Sequence, residues 1–231
     1  MDEPDIPSCR WPAIVNRPTF GSPPVRVQSF PFGSDRAHRV LYPGSPQREN
    51  VRMENERRGE AFEGDIRLTV IGKRLEPGDT APAFSLDALA PGEALPREVT
   101  LADGAGRVRL LHVVNSLDTP VCHIGAHRFE QAAHDLPPLV EVYTVSMDLP
   151  FAQARWRAAE GVSHEALSSH RSEDFGRAYG VLLREWRLLQ RAVFVVDREG
   201  KLAHVEYVAD QMAEPDYDAA LAAARDTAGS A

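Results

Sequence analysis

The sequence predicts an α/β fold with a mixed central sheet flanked by helices, and three observations carry that prediction. From about residue 65, strand-length apolar runs alternate with helical stretches, which implies a layered sheet with helical connections. Val108-Arg109-Leu110-Leu111-His112-Val113-Val114 is a strong, largely apolar strand, and Leu139–Ser146 is a second. The last two strands, Ala192–Asp197 and Leu202–Val208, are separated only by Arg198-Glu199-Gly200-Lys201. That turn is too short for a parallel crossover, so the pair is an antiparallel hairpin and the sheet is mixed.

The remaining elements follow in order. Ile66–Gly72 is a short strand, and Glu76-Pro77-Gly78-Asp79 is a turn. Ala83–Leu86 and Val99–Leu101 are short extended pieces. A helix runs from about Cys122 to His134. Pro150 to about Glu160 is helical, with proline in the first turn, where its missing N–H costs nothing. A second helical stretch lies near Glu173–Tyr179. Pro215 opens a last helix over Asp216–Arg225, with acids in its first turn.

Residues 1–52 differ in character. They hold nine of the 18 prolines, seven arginines, no lysine and five acids, with no sustained period of strand or helix. Such a segment cannot bury enough apolar surface to offset its ordering entropy, so it is expected to be disordered. Met53-Glu54-Asn55-Glu56 looks like a natural protein start. The expected boundary therefore separates a proline- and arginine-rich extension, 1–52, from a folded domain, 53–231.

Composition bounds the function. A net charge of −8 argues against nucleic acid or an anionic membrane surface as a partner. No apolar run is long enough to cross a bilayer. The acidic, proline-broken start Met1-Asp2-Glu3-Pro4-Asp5 lacks the basic and apolar regions of a secretory signal. With only two cysteines, Cys9 and Cys122, the expected compartment is a reducing cytoplasm.

Cys122 is the most informative residue. It follows an apolar strand and a polar turn, stands three residues after Thr119, and opens a helix-like stretch. A thiol there faces unpaired backbone N–H groups and the positive end of the helix dipole, and both favour the nucleophilic thiolate. Thr119 offers a hydroxyl that donates and accepts. Arg191, directly before a buried strand, is a candidate for holding the thiolate charged and stabilising a departing oxyanion.

These residues carry a resemblance. Ser116-Leu117-Asp118-Thr119-Pro120-Val121-Cys122 resembles the cysteine signature of the peroxiredoxins, specifically of their bacterial thiol peroxidase subfamily. Asp148-Leu149-Pro150-Phe151-Ala152-Gln153-Ala154-Arg155-Trp156, Arg191-Ala192-Val193 and Glu214-Pro215-Asp216-Tyr217 are similar to further motifs of that subfamily, in order and with compatible spacing. The match runs from about residue 60 to 225. It implies a thioredoxin-like fold with an N-terminal β-hairpin decoration, expected near residues 66–75. It implies Cys122 as the peroxide-attacking cysteine, with Thr119 and Arg191 as its activators. Hydroperoxides are the implied substrates, thioredoxin or a small thiol the reductant, and a homodimer the assembly. Regeneration passes through a sulfenic acid. No cofactor is implied.

Two positions depart from the subfamily. Arg157 stands where a resolving cysteine is expected, which implies a one-cysteine peroxidase reduced by an external thiol. Asn115 stands where the subfamily has a proline. The alternative reading is a redox sensor or binding protein on the same fold, with slow or no turnover. Cys122, His123 and His127 are set aside as a metal site. The cysteine points away from the two histidines, and no fourth ligand lies at useful spacing.

Overall fold

The computed structural model describes residues 55–229, so the expected extension and Cys9 lie outside the described residues. Four strands open the described residues: β1 Glu56–Glu63, β2 Ile66–Ile71, β3 Ser85–Ala88 and β4 Arg97–Thr100. Then come β5 Val108–Val113, α1 Pro120–Ala133, β6 Val140–Ser146, α2 Pro150–Glu160, β7 Glu165–Ser168 and α3 Asp174–Ala178. The two-residue strands β8 Leu182–Leu183 and β9 Leu188–Leu189 precede β10 Ala192–Val196, β11 Leu202–Tyr207 and α4 Tyr217–Gly229.

The main sheet has seven strands in the order β11-β10-β5-β6-β7-β3-β4. The β5–β6 and β6–β7 pairs are parallel, while β10 is antiparallel to both β5 and β11. The expected mixed sheet and terminal hairpin are therefore present. β5 is an interior strand with every residue buried, because neighbours pair on both edges and layers cover both faces. Leu111 and Val113 point into one cluster with Phe84, Phe175 and Tyr179. Val108 and Leu110 point into the opposite cluster with Phe129 of α1 and Ala220, Leu221 and Ala224 of α4. That alternation is the two-residue period of a strand.

His112 shares the second face. It is fully buried, and its ring lies 4.8 Å from that of Phe129. Gly125 lets α1 come this close, because a Cβ there would stand 2.9 Å from His112 Nε2. His112 Nδ1 lies 3.5 Å from Thr144 Oγ1, which is 2.9 Å from His164 Nε2. His164 Nδ1 is 2.7 Å from Glu130 Oε2, and the same carboxylate accepts the His164 and Ser163 hydrogen bonds. A polar spine thus ties β5, β6 and the loop before β7 to α1.

The expected hairpin decoration is present, but at residues 56–71 and not near 66–75: β1 pairs antiparallel with β2. Its first strand escaped the sequence reading because Glu56-Arg57-Arg58-Gly59-Glu60 is polar and mostly exposed, as edge strands often are. The first described strand accordingly begins at Glu56. The hairpin extends into a second sheet of order β1-β2-β8-β9. It docks on the loop after β11 through Phe62 N–H to Ala209 O (2.8 Å) and Gln211 N–H to Phe62 O (2.8 Å). Among the described residues, no helix is long and apolar enough to cross a membrane.

The spine makes stability pH-dependent. Burial, then the Arg191 charge and His164, hold the His112 imidazole well below its ordinary range. The unfolded chain therefore binds a proton near the ordinary value of about 6.5 that the folded chain refuses. His112's contribution is complete above that value and is lost as pH falls below it, at up to about 1.4 kcal/mol per pH unit. Urea midpoints measured at pH 7.5 and pH 5.5 should fall in the wild type. The fall should be smaller in His112→Asn, and an equal fall in both would contradict the assignment to His112.

Candidate active site

The loop between β5 and α1 is shaped by a carboxylate from the next loop. Asp148 accepts Ser116 Oγ–H (2.8 Å) and Leu117 N–H (2.9 Å), and also takes the Ser146 hydroxyl (2.8 Å). Gln153 of α2 donates to Ser146 Oγ (2.9 Å) and to Leu167 O (3.1 Å). The run from Asp148 to Gln153 therefore clamps the ends of β5, β6 and β7 together. That clamp sets where α1 begins.

The helix starts at Pro120, two residues before the expected start, with Thr119 as N-cap in extended backbone (φ −92°, ψ 143°). Proline at the first helical position has a preset φ and no N–H to leave orphaned, which explains the earlier start. Cys122 thus sits in the first turn. It is a free thiol and fully buried. The Thr119 hydroxyl does not cap the helix. It donates to Ser116 O at 2.9 Å, so its proton is engaged and its lone pairs remain.

Arg191 reaches the sulfur from the other side of the fold. Its Nη1 lies 3.4 Å from Cys122 Sγ, its Nη2 donates to Gln211 O (2.9 Å), and its Nε has no partner. The side chain is only 1% exposed, so this is a buried cation facing a thiol. The structure therefore brings two of the three predicted residues, Cys122 and Arg191, into direct contact, and places the third, Thr119, at the N-cap of the helix that carries the cysteine.

Sequence reasoning missed Gln211. This buried amide follows β11, and its Oε1 accepts both Arg191 N–H (3.0 Å) and Asn115 Nδ2–H (3.1 Å). Its Nε2 donates to Val208 O (2.8 Å) and Ala209 O (3.1 Å). Asn115 also donates to Leu189 O at 2.7 Å. The asparagine that departs from the subfamily pattern thus ties the cysteine loop to β9 and to the residue that holds Arg191. No local signal marks Gln211 as part of the site, because Arg191 and Asn115 lie 20 and 96 residues away from it along the chain. Arg157, at the other departure, is buried and donates to Ser163 O at 2.6 Å.

A free cysteine buried in the first helical turn of a thioredoxin-like fold, faced by an arginine, defines a thiol-redox class of protein. The comparisons agree. The Redoxin family model matches residues 76–221, and the chain belongs to that family. It is 46% identical over 159 residues to the thiol peroxidase of Streptococcus sanguinis, covering 68% of this chain and 94% of that one. The Bacillus subtilis thiol peroxidase is 42% identical over 159 residues, covering 68% and 92%. The crystal structure of a peroxiredoxin-like protein from Aquifex aeolicus superposes with a TM-score of 0.61 at 33% identity, covering 70% of this chain and 92% of that one.

Replacing Gln211 by leucine should strand the buried Arg191 N–H and one Asn115 N–H. The expected loss of stability is about 1–3 kcal/mol. A urea denaturation midpoint unchanged from the wild type would show that neither donor depends on Gln211.

Proposed function

We propose that this chain is a thiol-dependent peroxidase that reduces hydrogen peroxide or organic hydroperoxides. The observation that carries the reading is the Arg191 guanidinium held 3.4 Å from the buried Cys122 sulfur. Identity of 42–46% to curated thiol peroxidases supports the same activity.

The Cys122 thiolate attacks the terminal oxygen of the peroxide. The S–O bond forms as the O–O bond breaks, and sulfur gives up two electrons. The departing alkoxide, or hydroxide from hydrogen peroxide, takes a proton and leaves as alcohol or water. Thr119 accepts the O–H of the bound peroxide, since its own proton is engaged with Ser116 O. Arg191 faces the sulfur before attack and offers its unpartnered Nε–H to the charge that develops on oxygen. Gln211 and Asn115 are positioning residues that fix the arginine and the cysteine loop.

The product is a sulfenic acid on Cys122. An external thiol, thioredoxin or a small one, attacks that sulfur and water leaves. A second thiol then frees Cys122 from the mixed disulfide. Because Cys122 is fully buried, the first turn of α1 must open before a protein thiol can reach it. A chemistry that needs a reduced thiol suits the cytoplasm. Leu149 and Phe151, 54% and 56% exposed, offer apolar surface to a second copy, in keeping with a homodimer.

Cys122→Ser should abolish peroxide reduction with the fold retained, and residual turnover would exclude the assignment. Thr119→Val and Arg191→Ala should each slow sulfenic acid formation at least tenfold, which is about 1.4 kcal/mol of barrier. Stopped-flow rates equal to the wild type in both variants would remove their proposed roles.

With Arg157 in place of a cysteine, the sulfenic acid waits for an external thiol, and a second peroxide can carry it to sulfinic acid. In a Cys9→Ser background, Arg157→Cys should lower sulfinic acid formation across a peroxide titration followed by intact mass. Equal over-oxidation with and without the new cysteine would count against the one-cysteine mechanism.

A further inference from the structure

We infer that His123, His127 and Glu160 form a binding site for a divalent transition-metal ion of the zinc class, bridging α1 and α2 beside the reactive cysteine.

The two histidines are one helical turn apart on α1, so they share a face. Glu160 closes α2 and is 33 residues from His127 in sequence, which is why spacing alone does not reveal it. The fold brings the three together. Glu160 Oε2 lies 3.3 Å from His127 Nε2 and 3.8 Å from His123 Nε2. One potential ligand atom from each residue lies within 4.8 Å of the other two.

Those separations suit a metal. Zinc–nitrogen and zinc–oxygen bonds of about 2.0–2.2 Å in tetrahedral geometry put ligand atoms roughly 3.3–3.5 Å apart. The His127–Glu160 distance already meets this, and His123 is about half an ångström too far from Glu160. Side-chain rotation must also draw together the two histidine nitrogens, which lie within 4.8 Å of each other. Two imidazoles and one carboxylate are a ligand set for zinc, copper or nickel, and not for calcium or magnesium, which take oxygen. Three protein ligands leave a position for water.

The surroundings hold the ligands in place. The rings of His123 and His127 lie 4.6 Å apart, and both pack on Trp156, at 5.6 and 5.8 Å. Trp156 is itself buried against Leu117, Ala126 and Ala166. An indole wedged beneath two imidazoles restricts their rotation while their Nε2 atoms converge on one carboxylate oxygen. A proton on one imidazole satisfies one pair in that triangle, whereas a dication satisfies all three lone pairs at once. Glu160 is exposed and the two histidines are part-buried, so an ion reaches them from solvent.

The site lies apart from the proposed chemistry. Cys122 is buried and faces Arg191, on the side of α1 turned away from the histidines. An ion there joins the first two turns of α1 to the end of α2 without ligating the sulfur.

The test is zinc titration of the full chain against a chromogenic chelator, with and without Cys122→Ser. One zinc per chain is expected, unaffected by Cys122→Ser and weakened at least tenfold in His127→Ala, His127→Gln and Glu160→Gln. Nickel should quench Trp156 fluorescence in the wild type, and the quenching should disappear in Trp156→Phe and His127→Gln. Circular dichroism of the three ligand variants should match the wild type, since all the replaced side chains lie at the helix surface. Absence of zinc binding would overturn the proposal, as would binding lost in Cys122→Ser or retained in all three ligand variants.

Discussion

A buried guanidinium is the constraint on which this structure turns. Arg191 is among the largest fully buried side chains of the described residues, and its guanidinium meets a thiol and the Gln211 carbonyl. Removing such a cation from water costs several kcal/mol unless its donors are met. The fold meets part of that need with the loop after β11, and leaves Nε without a partner. Val208, Ala209 and Gln211 turn back after β11 so that Gln211 receives Arg191 through both its side chain and its carbonyl. The N-terminal hairpin then pins that loop through Phe62. What looks like a decoration at the edge of the domain is therefore part of the support for the arginine.

The cysteine is fixed by a second, independent set of contacts. Asp148, Ser146 and Gln153 lock the turn before α1, and Gly125 lets the helix lie against His112. The two sets meet at Asn115, which belongs to the cysteine loop and donates to Gln211. A proline at that position has no side-chain donor and leaves Gln211 Oε1 with one partner fewer. Asn115 thus exchanges backbone stiffness for a hydrogen bond. Arg157 makes a comparable exchange, since its guanidinium reaches Ser163 O beyond the end of α2.

Much of the central fold was legible because its strands are apolar and buried on both faces. β5, β6 and β10 announce themselves, and Pro150 marks the start of α2 to the residue. What was missed has little local pattern. β1 is charged, β7 is only four residues long, and β8 and β9 are two residues each, so their pairing rests on tertiary contacts. The site divides in the same way. Cys122, Thr119 and Arg191 lie next to recognisable elements and were named from the chain. Gln211 and Glu160 gain their place at a site from partners far away in sequence. Gln211 lies in a loop, and Glu160 ends a helix that was recognised but whose pairing with His127 of α1 was not.

The same geometry separates two demands on α1. Its buried face holds the sulfur against Arg191, with both groups almost fully out of water. That suits attack on a small peroxide and opposes access by a larger thiol. In the proposed cycle, regeneration therefore draws on the stability of the first helical turn, which rests on Asp148 and on the packing of His123 and His127 over Trp156. A group that strengthens the outer contacts raises the cost of opening while leaving the buried contact with Arg191 in place. On the proposed cycle, the outer face of α1, one residue from the cysteine, is thus where the reductive half would be tuned without touching the oxidative half.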